Sequence, residues 1–326
     1  MRLLRVELAR LRWRRAVVVL LVACVALPLV LLAGYAWETR PVSDADIARA
    51  EQMAAQDAGQ PWVAQEITAC EADPEMYLGP DGTASECAET ITPRAEYYLY
   101  RNELDLTTLR TDVGAAAITI LTGLLMLIGT TYAGHDWNTG SMSNQLLFVP
   151  RRLRLWAAKG AAVVLTGLVV GVVVLALFWG GAALLASSRD ITAAPGTWDD
   201  IWATQARGVL AIGVGGLLGY ALTMLFRSTV ATLSLMFGVA IAGSLIVVAI
   251  LGDNAARWLL PTNFLAFVLG GFSYYDPSAC IQSPDGSVSG GCESTLPAVD
   301  GGLMLAVLVV VSVALSVWAT HRRDVP

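Results

Sequence analysis

Lysine is almost missing from this chain, which has only Lys159, and histidine occurs twice, at His135 and His321. A nucleotide-hydrolysing P-loop needs G-x-x-x-x-G-K-[ST], with a lysine that reaches the terminal phosphates. The single lysine stands in Ala158-Lys159-Gly160, so the chain is not itself a P-loop ATPase. Neither H-E-x-x-H nor G-x-S-x-G occurs, and the two histidines have no triad partner, so hydrolase and metalloprotease chemistry lacks its reacting groups. His135 reads as a solvated residue at a helix end. No basic stripe is interleaved with aromatics on a polar background, which removes the surface that nucleic-acid binding requires. The chain is therefore not expected to be an enzyme.

Charge is also scarce, at 15% of residues against 56% hydrophobic, and mean hydropathy is +0.59. A soluble domain has roughly 45–50% apolar residues. The formal net charge of -6 is less informative than its distribution, because arginines gather at the ends of apolar runs and acids in one loop. Crossing a bilayer takes about 20 apolar residues with every backbone group bonded internally. Runs that meet this are Ala16–Ala36, Val113–Ala133, Ala161–Ala186, Val209–Phe226, Thr229–Leu251 and Gly301–Thr320. The fold class expected is an all-α membrane protein of about six transmembrane helices. The first run follows a basic stretch, but it is too long for a signal-peptide core and lacks a small-x-small cleavage site. It reads as a retained anchor.

Basic residues near span ends resist translocation. They lie at Arg2, Arg5, Arg10, Arg12, Arg14 and Arg15, at Arg151, Arg152, Arg154 and Lys159, at Arg227, and at His321-Arg322-Arg323. With six spans these fall on one face, which puts both termini in the cytoplasm of a plasma-membrane protein. Expected segments are a cytoplasmic amphipathic helix over 1–15, spans over 16–36, 111–133, 160–187, 207–226, 229–251 and 301–320, and a small extracytoplasmic cap over 37–110. A cytoplasmic loop over 134–159, an external loop over 188–206, an external re-entrant and disulfide-bearing segment over 252–300 and a tail over 321–326 complete the division. Trp258–Phe272 is apolar but short and holds Pro261, so it reads as re-entrant. Counting it as a seventh span would send Arg322 and Arg323 outside, against the charge rule.

Cys24 sits in an apolar run, whereas Cys70 with Cys87 and Cys280 with Cys292 sit in two polar loops that this orientation places outside. Local bridges on an oxidising face follow. Zinc is the weaker reading, because neither loop has a histidine or a tight C-x-x-C pair. Within the cap, Ser43 and Asp46 form a capping-box pattern opening a helix through Ile47 and Met53. Pro93–Leu109 has helical spacing, and Gly79-Pro80-Asp81-Gly82 is turn chemistry in a hairpin-like excursion that the first bridge closes. A flexible acidic linker is the competing reading for this loop. At the N-terminus, Leu4, Leu8 and Leu11 share a helical face flanked by arginines, which suits a helix in the headgroup plane or a plain positive-inside anchor. The glycines at 213, 215, 216 and 219 read as close helix packing.

The stretch Gly134–Lys159 reads GHDWNTGSMSNQLLFVPRRLRLWAAK between two spans. An acid at the membrane edge, Asp136, precedes Thr139-Gly140, an amphipathic run through Leu146, Leu147 and Phe148, then Pro150-Arg151-Arg152 and the lysine. The glycine breaks the span, the run makes a short surface helix, and the proline ends it. This resembles the coupling loop of the type-2 family of ATP-binding-cassette (ABC) exporter permeases, with Asp136 where Glu is more usual and Thr139-Gly140-Ser141 for the Gly-Thr step. The six spans, the basic amphipathic N-terminus and the re-entrant stretch before the last span match the family's plan.

The resemblance implies a permease subunit that couples hydrolysis on a separate ATPase subunit to efflux of a hydrophobic or amphipathic substrate. ATP and Mg would be held by that partner, with no cofactor on this chain. Other implied partners are a second copy or a related permease, and membrane lipid. Asp136, Thr139, Gly140, Leu146, Leu147, Phe148, Pro150, Arg151 and Arg152 become the candidate coupling residues, with Arg151 and Arg152 pairing with acids of the ATPase subunit or, as the alternative, with lipid phosphates. An ion-coupled secondary carrier and a non-transporting sensor or scaffold working through the cap are the alternatives. The carrier is disfavoured because few ionisable residues fall inside the spans, with Asp112 and Arg207 at span mouths.

Overall fold

The computed structural model describes residues 2–80, 82–99, 102–149, 151–282 and 288–323. It divides into two compact units, one of Met1–Ala33 with Asp105–Pro326 and the other Gly34–Leu104. In chain order, α1 is Arg2–Arg12 and α2 is Arg15–Glu38. The second unit follows, with α3 Asp44–Ala58, α4 Pro61–Ala72, α5 Pro74–Leu78 and α6 Ala84–Ile91. The first unit resumes with α7 Leu106–Asn138, α8 Ser141–Phe148, α9 Arg152–Ser188, α10 Thr197–Phe226 and α11 Thr229–Leu251. Last come the short α12 Leu260–Leu269, two strand pairs, and α13 Ala298–Arg322. Six of these, α2, α7, α9, α10, α11 and α13, are long and apolar enough to cross a membrane. The chain is a mostly helical, multi-pass membrane protein.

The core of the first unit forms where α7 and α9 pack on α10, around Leu121, Leu125, Ile128 and Tyr132, Val163 and Leu175, and Ile212 and Tyr220. Helices α7 and α10 approach backbone to backbone. A Cβ on Gly129 would lie 2.2 Å from the Gly216 carbonyl oxygen, and one on Gly219 would lie 2.1 Å from that of Met126. Lipid offers no hydrophobic drive for helix association, so dispersion contact across small residues holds such a pair. By contrast, α11 buries none of its most apolar stretch within the chain, and α13 buries 11% of its own. Their Val, Ile and Leu side chains face outward, as lipid-contacting surface does.

The helix ends differ from the expected spans. The segment expected as an external loop over 188–206 already starts α10 at Thr197, because Ile201, Thr204, Gln205 and Gly208 bury one helical face. The expected cytoplasmic loop 134–159 shrinks to a short connection, since α7 continues to Asn138 and α9 begins at Arg152. Nothing between Arg152 and Gly160 breaks a helix, and Leu155 and Lys159 are buried one turn apart. The stretch 252–300 carries a 3-10 turn, α12, and β1 Gly271–Tyr275 paired antiparallel with β4 Glu293–Pro297. Between them, β2 Ile281–Gln282 pairs with β3 Val288–Gly290. The Cys280–Cys292 bridge spans this excursion with 4.0 Å between Cα atoms.

In the second unit, Ser43 and Asp46 form a full capping box at the start of α3. The Cys70–Cys87 bridge joins α4 to α6 with 5.8 Å between Cα atoms, and both cysteines are fully buried with Val63. The bridged excursion is helical rather than hairpin-like: α5 ends at Gly79, whose φ is +87°, and Thr83 with Glu86 caps α6. Hydrogen bonds from the Thr83 backbone and hydroxyl hold the Glu86 carboxyl below the usual glutamate range. Asp81, in the expected turn, lies outside the described residues. Pro93–Leu109 is not one helix. A 3-10 turn over Ala95–Tyr98 gives way to non-helical backbone at Leu99 and again before α7. Asp105 then opens α7 by accepting from the backbone N–H of Thr107 (3.1 Å) and Thr108 (2.9 Å).

Candidate functional site

The connection between α7 and α9 is built from its turn outward. Gly140 sits at φ +68°, the left-handed region that favours glycine, and ends α7 after Thr139 caps back onto the His135 carbonyl at 2.8 Å. Helix α8 follows at once. Its Met142 is buried and its Leu146 packs on the core, whereas Leu147 and Phe148 are 79% and 87% exposed. Two adjacent large apolar side chains at a helix end are thus left uncovered. Arg151 is exposed, and Arg152 turns back to donate from Nη1 to the Arg323 carbonyl at 2.8 Å. Pro150 lies outside the described residues.

Asp136 is only 1% exposed, and around it lies the densest set of buried charges in the first unit. Lys159 Nζ, itself 1% exposed, donates to Asp136 Oδ2 at 2.5 Å and to Glu7 Oε2 at 2.9 Å. Arg14 donates from Nη2 to Asp136 Oδ1 at 2.5 Å and from Nη1 to the Tyr132 carbonyl at 2.5 Å. The Tyr132 hydroxyl donates to Glu7 Oε2, and both cations lie over its ring, Arg14 at 4.7 Å and Lys159 at 5.1 Å from the centroid. Two carboxylates and two cations balance, and each is hydrogen-bonded, which is the condition for keeping charge out of water. Arg10 extends the set outward, 3.6 Å from Glu7 Oε1, and donates to Ser141 Oγ at the first residue of α8. Helices α1, α7 and α9 are therefore tied at one point, with α8 fastened beside it.

Of the expected residues, Asp136, Thr139 and Gly140 lie at the root of α8 and Leu146 packs on the core further along it, while Leu147, Phe148 and Arg151 are exposed. Sequence reasoning missed Glu7 and Tyr132, counted Arg14 among the basic residues at span ends, and counted Lys159 there and in the loop motif, without placing them in a buried cluster. A signal for Glu7 was present: it falls on the same helical face as Leu4, Leu8 and Leu11, where an acid has no place unless it has a buried partner. The chain matches no family model, no curated protein and no solved structure.

The same end of the first unit gathers the other basic segments. Arg227, in the α10–α11 turn, lies 4.8 Å over the Trp137 ring, and Arg323 donates to the Leu225 carbonyl at 3.2 Å. Trp156 Nε1 donates to Ser316 Oγ at 3.1 Å and its carbonyl accepts from the Tyr220 hydroxyl at 2.9 Å, linking α9 to α13 and α10. These contacts tie α7, α9, α10 and α13 together at this end of the unit.

Proposed function

We propose that this chain is the transmembrane permease subunit of an ABC exporter. Its α8 would serve as the coupling helix for a separate ATPase subunit that holds ATP and Mg. The observation that carries the reading is the exposed Leu147–Phe148 pair on a helix whose root is clamped by Asp136, Lys159, Glu7 and Arg14. Burying those two side chains in a cleft of a partner would contribute about 1.5–3 kcal/mol each. Arg151 would meet acids of that partner or lipid phosphates. The clamped root would pass the motion to α7 and α9. The basic end then faces the cytoplasm of the plasma membrane, the Gly34–Leu104 unit and the Cys280–Cys292 loop face the oxidising side, and two permease chains enclose the pathway.

A second reading is supported by one observation: Asp136 and Lys159 are ionisable groups buried in long apolar helices, the feature an ion- or proton-coupled carrier requires. Isolation of the full chain from membranes of its native source separates the two. Co-isolation of a P-loop ATPase, lost in Leu147→Ser/Phe148→Ser while membrane insertion is kept, is the expected result. Gradient-driven flux by the isolated chain without ATP would instead establish the carrier.

A further inference from the structure

At the far end of the same long helices, two arginines meet without an acid. Arg110, on the first turn of α7, donates from Nη1 to Thr204 Oγ1 at 3.2 Å and to the Leu269 carbonyl at 3.3 Å. Arg207, on α10, donates from Nη1 to the neighbouring carbonyl, Val268, at 3.4 Å. Its guanidinium packs on Gly270, where a Cβ would come within 2.7 Å of Nη1, and Gly270 has φ +96°. Adjacent carbonyls at the C-terminal end of α12 thus draw two guanidinium groups to one place. Both arginines are half-buried, and among the described residues neither pairs with a carboxylate.

The end of a short helix offers about half a negative charge. That leaves most of two positive charges uncompensated beside apolar helices, where unpaired charge is expensive. A donor also remains unused. Arg110 Nε is shielded from solvent and donates to nothing. A carboxylate is satisfied by one guanidinium fork, whereas a phosphate presents oxygens to two forks together.

We propose that Arg110 and Arg207 form a binding site for a phosphate group at the mouth of α7, α10 and α12. The group arrives on a membrane lipid or on a free phosphate-bearing molecule, and the site stands whether or not an ATPase docks at α8. The arginines hold the phosphate oxygens with their free N–H groups while their Nη1 atoms keep α12 in place.

The test is thermal unfolding of the full chain, delipidated in a phosphate-free nonionic detergent. Inorganic phosphate is titrated at constant ionic strength against chloride, and phosphatidylglycerol against an uncharged diacylglycerol. A saturable rise in melting temperature is expected with at least one probe; a response to phosphatidylglycerol alone identifies a lipid headgroup, and a response to both a free phosphate site. Arg110→Gln and Arg207→Gln should each weaken the midpoint by roughly tenfold or more, the worth of one charge-assisted hydrogen bond. Arg207→Lys, which keeps a positive charge on α10 beside the α12 carbonyls but loses the fork, decides the matter if a glutamine variant does not fold. A wild-type protein indifferent to both probes, or variants that respond as the wild type does, would overturn the assignment.

Discussion

Replacing Lys159 with methionine removes the cation that Glu7 and Asp136 share while keeping nearly the same length of apolar side chain. The two carboxylates do not suffer equally. Asp136 retains Arg14 at 2.5 Å, but the nearest cation left to Glu7 is Arg10, at 3.6 Å and 36% exposed. Glu7 is 1% exposed and keeps only the Tyr132 hydroxyl and the more distant Arg10, and breaking a buried pair in this way costs up to about 3–5 kcal/mol. Adding Glu7→Gln removes its charge, and the double variant should recover about 1–3 kcal/mol of that loss through their coupling. Unfolding in detergent followed by tryptophan fluorescence measures the total, and trypsin cleavage at Arg10, Arg12 and Arg14 reports release of α1. If Lys159→Met unfolds with the wild type and leaves α1 protected, or if the two substitutions are simply additive, the buried cluster does not hold α1 to α7 and α9.

Gly219→Ala should destabilise the α7–α10 contact by about 1–3 kcal/mol, because its methyl meets the Met126 carbonyl at 2.1 Å, whereas Gly123→Ala, with nothing within 4 Å, should be neutral in the same unfolding measurement. Cys70→Ser with Cys87→Ser should lower the stability of Gly34–Leu104 by about 2–4 kcal/mol, read as faster hydrogen exchange in α4 and α6 with the core of α7 and α10 unchanged. Asp276 accepts from the Ser278 and Ser294 hydroxyls and the Ser278 backbone N–H, which hold its carboxyl below the usual aspartate range. A depressed carboxyl contributes stability that is complete above its ordinary pKa and is lost as pH falls through the lower folded-state value. Exchange in β1 and β4 should therefore quicken below about pH 4, and Asp276→Asn should abolish that acid response.

The long apolar helices were readable because hydropathy depends on composition over a window, which six stretches satisfy without reference to any other part of the chain. The cap of α3 and the two disulfides were readable for a similar reason, since their partners are close in sequence. Helix ends were not. Thr197 and Arg152 start helices because of faces buried against distant segments, which a local window averages away. The same holds for the charge cluster: Glu7 and Lys159 are 152 positions apart, and nothing local to either states that they meet. Only the presence of an acid on a leucine stripe, together with a lone lysine in an arginine-rich chain, hinted at it. At α8 the pattern foretold a short amphipathic helix, but which side is covered depends on α1, which places Ser141 against Arg10 and leaves Phe148 bare.

The distance between Glu7 and Lys159 along the chain also sets an order of events during synthesis. The carboxylate of α1 is synthesised 152 positions before Lys159, the cation that it meets on α9. The buried ion pair that joins α1 to α9 can therefore close only after residue 159 has been made.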